Sequence, residues 1–264
     1  RRCLHLHVRD VAANRRRKGL ESHVPGLTVK LLSDIADLLL PRVCAGCGIE
    51  TVSLCGDCIE ALDGPVVRSQ PRFGHLPVSG AGVYDGVLRN VLVAYKENGR
   101  RDIVAVLGLL LARAVVDSLQ NSQVDGKPVI LVPVPSSSSA VRRRGGNHVA
   151  AFAESAVQML RSDGLRAGCA DVLTVSRHRD QVGFGSAARK ANVEGTHAIA
   201  REHTHLVRQW SRRAKVIVVD DISTTGATGA ESTRALMNAG CTPDGLAVIG
   251  IARGSSRQPE LDAV

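Results

Sequence analysis

Four cysteines stand as two pairs, Cys44-Ala-Gly-Cys47 and Cys55-Gly-Asp-Cys58, with seven residues between them. A C-x-x-C pair can fold into a knuckle that presents two thiolates, and two knuckles close a tetrahedral metal site. Gly46, Gly48 and Gly56 suit the tight turns that free amides to hydrogen-bond the sulfurs. In a reducing compartment a metal is the expected occupant, with zinc suited to four thiolates. Such a site leaves no open position for water, so its expected role is structural. The alternatives are four plain thiols or a redox pair. Cys3, Cys169 and Cys241 lack partner spacing and read as ordinary small residues.

A second segment, Val216 to Thr228 (VIVVDDISTTGAT), has the residue types of an anion cradle. Four apolar residues run into Asp220 and Asp221. Ser223, Thr224, Thr225 and Gly226 then form a turn, and Ala227 and Thr228 open a helix. Unpaired amides and hydroxyls at a helix start can hold a phosphate, favoured by the helix dipole. Gly226 lets the backbone approach without a Cβ in the way. The two acids are expected to accept hydrogen bonds from sugar hydroxyls beside that phosphate, with a divalent cation nearby. The plainer reading is an Asp-terminated strand followed by a Thr N-cap.

The elements that must position these groups follow from periodicity. A short amphipathic helix with Leu31, Leu32, Ile35, Leu38 and Leu39 on one face stops at Pro41, just before the cysteines. Residues 63–80 hold three prolines and three glycines, a linker composition. Helices are predicted around 103–116, 149–160 and 227–239, the last closed by Gly240. Continuous apolar runs at VILVPVP, VIVV and LAVIGIA read as strands buried on both faces. Apolar strands alternating with amphipathic helices imply an α/β fold with a parallel sheet flanked by helices. The expected organisation is a basic extension over 1–30, a helix with the cysteine module and linker over 31–75, an α/β domain over 76–253, and a polar tail over 254–264.

Composition excludes several classes. Apolar residues make up 44% of the 264, enough for a sizeable core. Three Phe, two Tyr and one Trp are too few for a protein that grips single strands mainly by base stacking. The net charge of +9 is uneven: residues 1–30 carry eight Lys/Arg against two acids, leaving the rest nearly balanced. No run approaches the roughly 18–20 apolar residues that span a bilayer. The basic N-terminal stretch lacks the apolar segment of a secretory signal. A soluble, cytoplasmic chain without membrane insertion is expected.

VIVVDDISTTGAT resembles the signature of type I phosphoribosyltransferases, which bind 5-phosphoribosyl 1-pyrophosphate (PRPP). With the four-cysteine module added, the chain resembles the ComF family (ComFC or GntX-like) of bacterial competence-associated proteins, from about Leu31 to Arg253. Tyr84-x-Gly86-x-x-Arg89 and Tyr95-Lys96-x-x-Gly99-Arg100 follow the cysteines in the family's order. Pro133-Val-Pro135 with Ser136 and Ser137 is similar to a pyrophosphate-side loop, and Arg144-Gly145-x-Asn147 comes next. Arg177, Gln181, Arg189 and Asn192 fall where the family has its mobile active-site segment. The chain departs from the family at Gly146, where a Phe is usual, and at Gly195-Thr196-His197.

The resemblance implies a phosphoribosyltransferase-like fold and a PRPP site at Asp220, Asp221, Ser223, Thr224, Thr225, Gly226, Ala227 and Thr228. Pyrophosphate-side candidates are Lys96, Pro135, Ser136, Ser137, Arg144, Arg177 and Arg189, with Arg142 and Arg143 as further basic candidates. Structural Zn2+ at Cys44, Cys47, Cys55 and Cys58, and Mg2+ accompanying PRPP, are the implied cofactors. His148 and His178 read as surface or supporting residues rather than catalysts. Three functions remain open: a PRPP-binding protein of DNA uptake that contacts single-stranded DNA or uptake and recombination proteins, a pentosyltransferase with an unknown acceptor, or a PRPP-sensing regulator.

Overall fold

In the computed structural model, residues 43–50, 52–74, 76–120, 126–136, 146–175 and 195–254 are described. Along these come α1 (Gly56–Leu62), β1 (Val67–Ser69), β2 (Val78–Val83), α2 (Gly86–Glu97), α3 (Val104–Gln120), β3 (Val129–Pro133), α4 (His148–Ser162), β4 (Ala167–Cys169), β5 (Leu173–Val175), β6 (His197–Ile199), α5 (Thr204–Arg213), β7 (Lys215–Ser223), α6 (Ala227–Asn238) and β8 (Gly245–Ile251). The expected helix before Pro41 lies outside the described residues.

Six strands form one sheet in the order β1-β2-β8-β7-β3-β4. Only β1 runs antiparallel to its neighbour; the other pairings are parallel. The apolar runs occupy the interior. Val216, Ile217, Val218 and Val219 of β7 and every residue of β8 are buried, as strands covered on both faces must be. In β8, Gly245 faces Ser118 of α3 while the next residue, Leu246, faces Gly229 of α6. Successive strand residues point to opposite faces, so α3 and α6 cover opposite sides of the sheet. α4 packs with α3, and Arg208 of α5 lies against Gly240 just after α6.

The fold class is therefore α/β, with a mainly parallel sheet flanked by helices. The stretch 63–80 is more than a linker: it supplies β1 and the start of β2. β5 and β6 pair antiparallel as a separate two-stranded ribbon. Among the described residues no helix is long and apolar enough to cross a membrane.

The topology also locates a crevice. From β3 the chain passes through α4 to β4 on one side; from β7 it passes through α6 to β8 on the other. The order reverses between β3 and β7, which are adjacent. In open parallel sheets the loops diverge at such a point and leave a cleft at the carboxyl ends of the strands.

Candidate functional site

Val219 pairs with Pro133 at the end of β3, so Asp220 and Asp221 lie where β7 runs on past β3 beside β8, at that crevice. Asp221 is buried, and two basic side chains share one of its oxygens. Lys96 Nζ at the last turn of α2 donates to Oδ2 at 2.8 Å, and His148 Nε2 at the start of α4 lies 2.5 Å from the same atom. Burial opposes charge on Asp221, but the hydrogen bond from His148 and the charge of Lys96 prevail and lower its pKa. Asp220 shifts the other way. Burial and the negative charge of Asp221 push it well above the usual carboxylate range, while its Oδ1 accepts the Asp221 backbone N–H at 2.8 Å. The acids are thus unlike: one ionised and paired, the other holding its proton to higher pH.

Beyond β7 the chain turns at Gly226, whose φ of 81° lies in the left-handed region that glycine adopts without strain. A Cβ there would also collide with Pro71 and come within 2.8 Å of the Phe73 carbonyl. Phe73 donates its N–H to the Thr225 carbonyl at 3.0 Å, so one side of the turn rests on residues 71–73. The Ala227 N–H at the start of α6 donates to Thr225 Oγ1 at 3.4 Å, while Gly226 at the N-cap position has no side chain to offer. Ser223 is buried, Thr224 is exposed, and Thr225, Ala227 and Thr228 are half-buried.

The loop after β3 enters the same corner. Ser136 Oγ donates to Asn147 Oδ1 at 3.0 Å and lies 3.2 Å from His148 Nδ1. Asn147 Oδ1 also accepts the Val149 N–H at 3.1 Å, and its Nδ2 donates to the Val134 carbonyl. Asn147 therefore caps α4 and pins the β3 loop in one stroke. Phe152 lies edge-on to both His148 and Tyr95, the neighbour of Lys96 on α2.

The cysteines converge independently of this corner. Sγ atoms of Cys44, Cys47, Cys55 and Cys58 all lie within 4.8 Å of one another, with Cys47 and Cys55 at 3.7 Å. A tetrahedron with 2.3 Å metal–sulfur bonds has edges of about 3.8 Å. The Cys55 N–H donates to Cys44 Sγ at 3.3 Å. A Cβ on Gly46 would fall 2.5 Å from Cys58 Sγ, so that glycine keeps the cradle open. Burial raises the Cys44 thiol, but backbone hydrogen bonds from Cys47, Cys55 and Gly46 outweigh it and bring its pKa to about 6, while burial pushes Cys58 up. The four residues fit a metal ion, which would deprotonate them together. Burial raises the thiols of Cys169 to about 12 and Cys241 to about 11, in keeping with inert packing residues.

Of the predicted site residues, Asp220, Asp221, Lys96 and Ser136 meet at the crevice; Pro135 is half-buried in the β3 loop beside Ser136. Ser137, Arg142, Arg143, Arg144, Arg177, His178, Gln181, Arg189, Asn192 and Cys3 lie outside the described residues. Of the two sequence readings of His148, surface or supporting, the structure fits the second: it is buried and bridges Ser136 to Asp221. Its only local signal was its position directly after a helix-capping Asn. An apolar cleft of about 380 Å³ borders the Gly226 turn, lined by Pro71, Phe73, Leu76, Met237 and Leu246 among others. Comparison with protein-family models and with curated proteins gave no match to this chain.

Proposed function

We propose that the chain is a PRPP-binding, phosphoribosyltransferase-like protein of the ComF kind, serving DNA uptake or nucleotide metabolism. The observation that carries this reading is the placement of Asp220 and Asp221 at the reversal of strand order, followed by the left-handed Gly226 turn and the start of α6, where Gly226 offers no capping side chain. In this assignment the 5-phosphate takes the amides and hydroxyls of Thr224 to Thr228. The ribose diol takes the acid pair, and the pyrophosphate faces Lys96 and the Ser136 loop. Mg2+ would accompany the pyrophosphate, and Zn2+ would occupy the four cysteines. Asp220 suits a sugar hydroxyl because its raised pKa favours the form that can donate as well as accept.

The same groups would serve pentosyl transfer to an acceptor or effector sensing of PRPP, so binding is the property common to the three functions. Calorimetric titration of the zinc-loaded chain with PRPP and Mg2+ tests it. Saturable binding is expected, abolished in the Asp220→Ala/Asp221→Ala variant with its circular dichroism retained. Absence of heat with the parent chain, or equal binding by the double variant, overturns the assignment. Pyrophosphate release in the presence of a panel of bases and amines would then select the transferase.

A further inference from the structure

The cysteine centre and the acid corner lie at the two ends of one helix. At its amino-terminal half α2 touches the first knuckle: Asn90 Nδ2 donates to the Gly46 carbonyl at 2.8 Å, and Val87 packs where a Cβ on Gly46 would sit. At the other end, Lys96 donates to Asp221. Six residues of helix, about 9 Å, separate Asn90 from Lys96.

A second tie runs through Arg100. Its backbone N–H donates to the Ala94 carbonyl at 3.2 Å, which folds residues 98–100 back onto the turn that carries Lys96. Its guanidinium donates to the Val43 carbonyl at 2.7 Å and the Ser53 carbonyl at 3.2 Å, and forms a paired contact with Asp102 at 2.9 and 2.8 Å. Val43 precedes Cys44, and Ser53 lies two residues before Cys55. The Ser53 carbonyl also accepts the Ala45 N–H at 2.9 Å, joining the two knuckles at the point where Arg100 docks. Every acceptor that Asn90 and Arg100 use on the cysteine module therefore lies within two residues of a cysteine sulfur that would bind the ion.

We propose that the metal-bound four-cysteine centre, acting through the positioning residues Asn90 and Arg100, holds α2 so that Lys96 reaches the acid corner, and thereby tunes the affinity of that corner for a diphosphate. The inference rests on the anion-binding reading of the corner. A rigid helix carries displacement from one end to the other, so loosening Gly46 and Ser53 shifts the lysine without touching it. The metal does no chemistry in this scheme; it orders the two loops whose carbonyls grip α2.

Inorganic pyrophosphate is the probe, titrated calorimetrically into the full, zinc-loaded chain. Asn90→Ala and Arg100→Gln are each expected to weaken its binding about threefold or more, and to have no further effect in a Lys96→Met background. Parent-like affinity in both variants, or equal losses with and without Lys96, overturns the proposal. Hydrogen exchange without any ligand gives an independent reading. Chelation should raise exchange in residues 43–58 and also through the last turn of α2, at the Asn98 and Arg100 amides. Unchanged protection there overturns the coupling. If exchange behaves as expected but the parent chain binds no pyrophosphate, the coupling of metal to α2 stands and the anion reading falls.

Discussion

At the scale of single residues, the adjacent acids divide their labour through surroundings rather than chemistry. Asp221 is paid back for its burial by Lys96 and His148, whereas burial and the neighbouring charge of Asp221 raise the Asp220 pKa. The two amide substitutions should therefore differ in sign. Asp221→Asn removes the charge that both donors address and leaves them partly unpaired, a loss of about 1–3 kcal/mol in urea unfolding at neutral pH. Asp220→Asn replaces a group already inclined to neutrality and should be neutral or stabilising. The pH dependence follows. Above its ordinary value of 3.8 an unfolded Asp220 ionises while the folded one stays protonated, so its contribution to stability falls as pH rises toward the folded pKa. Asp220→Asn should flatten that decline. An equal loss for the two variants would refute the division.

At the scale of elements, the ribbon of β5 and β6 hangs on α6 by one polar lock. The His197 N–H donates to Glu231 Oε1, its Nδ1 meets Ser232 Oγ at 3.0 Å, and Arg234 grips both Glu231 and the His197 carbonyl. Burial lowers the His197 pKa from its ordinary 6.5 against the opposing pull of Glu231, so the docked ring stays neutral. Below pH 6.5 the undocked ribbon binds more protons than the docked one, and docking weakens as pH falls. Exchange of amides 173–175 and 197–199, corrected for intrinsic rates, should show the opening equilibrium rising by up to about tenfold per pH unit. A flat profile between pH 6.5 and 5 would remove His197 as the cause.

Elements were legible in the sequence where burial alone shapes them and illegible where a neighbour does. β3, β7 and β8 announce themselves as continuous apolar runs. β2 (VSGAGV) does not, because its small residues answer to what lies beside them: a Cβ on Gly80 would come within 2.6 Å of the Ile251 side chain. Similarly, α5 buries only Val207 and Trp210, too few to mark a face before the sheet is known. The cysteine set is local in sequence, and its four sulfurs do converge; the acid-turn segment is local too, and folds as the strand, turn and helix that its residues imply. Lys96 was found only as part of a motif, and the bridge from His148 to Asp221, 73 residues apart, has no local pattern at all.

For the whole molecule, the decisive question is whether the cysteine module and the sheet fold as one. The sheet has its own core: Leu107 to Leu111 of α3, Phe152 of α4 and the interior strands are almost wholly inaccessible to solvent. The module is small: Ala45 and Leu62 enter that core, and polar ties join it at Asn90, Arg100 and Arg113, the last donating to the carbonyls of Leu62 and Gly64. Arg113, which breaks an otherwise apolar helix in the sequence, thus anchors the end of α1. Polar ties of this kind contribute about 0.5–1.5 kcal/mol each, and with so few apolar anchors the closed knuckles are expected to depend on the ion. Trp210, the single tryptophan, is buried on α5, a helix that packs on β7, and reports on the sheet layer. In the metal-loaded chain, Trp210 fluorescence and the reactivity of Cys44, Cys47, Cys55 and Cys58 toward a thiol reagent should change together along a urea titration. After chelation the thiols should become reactive at least about 1 M earlier than the Trp210 transition, a separation of roughly 1–3 kcal/mol at ordinary urea slopes. Should the Trp210 transition move down with the thiols instead, the ion supports the entire α/β core and the module is part of it rather than a brace upon it.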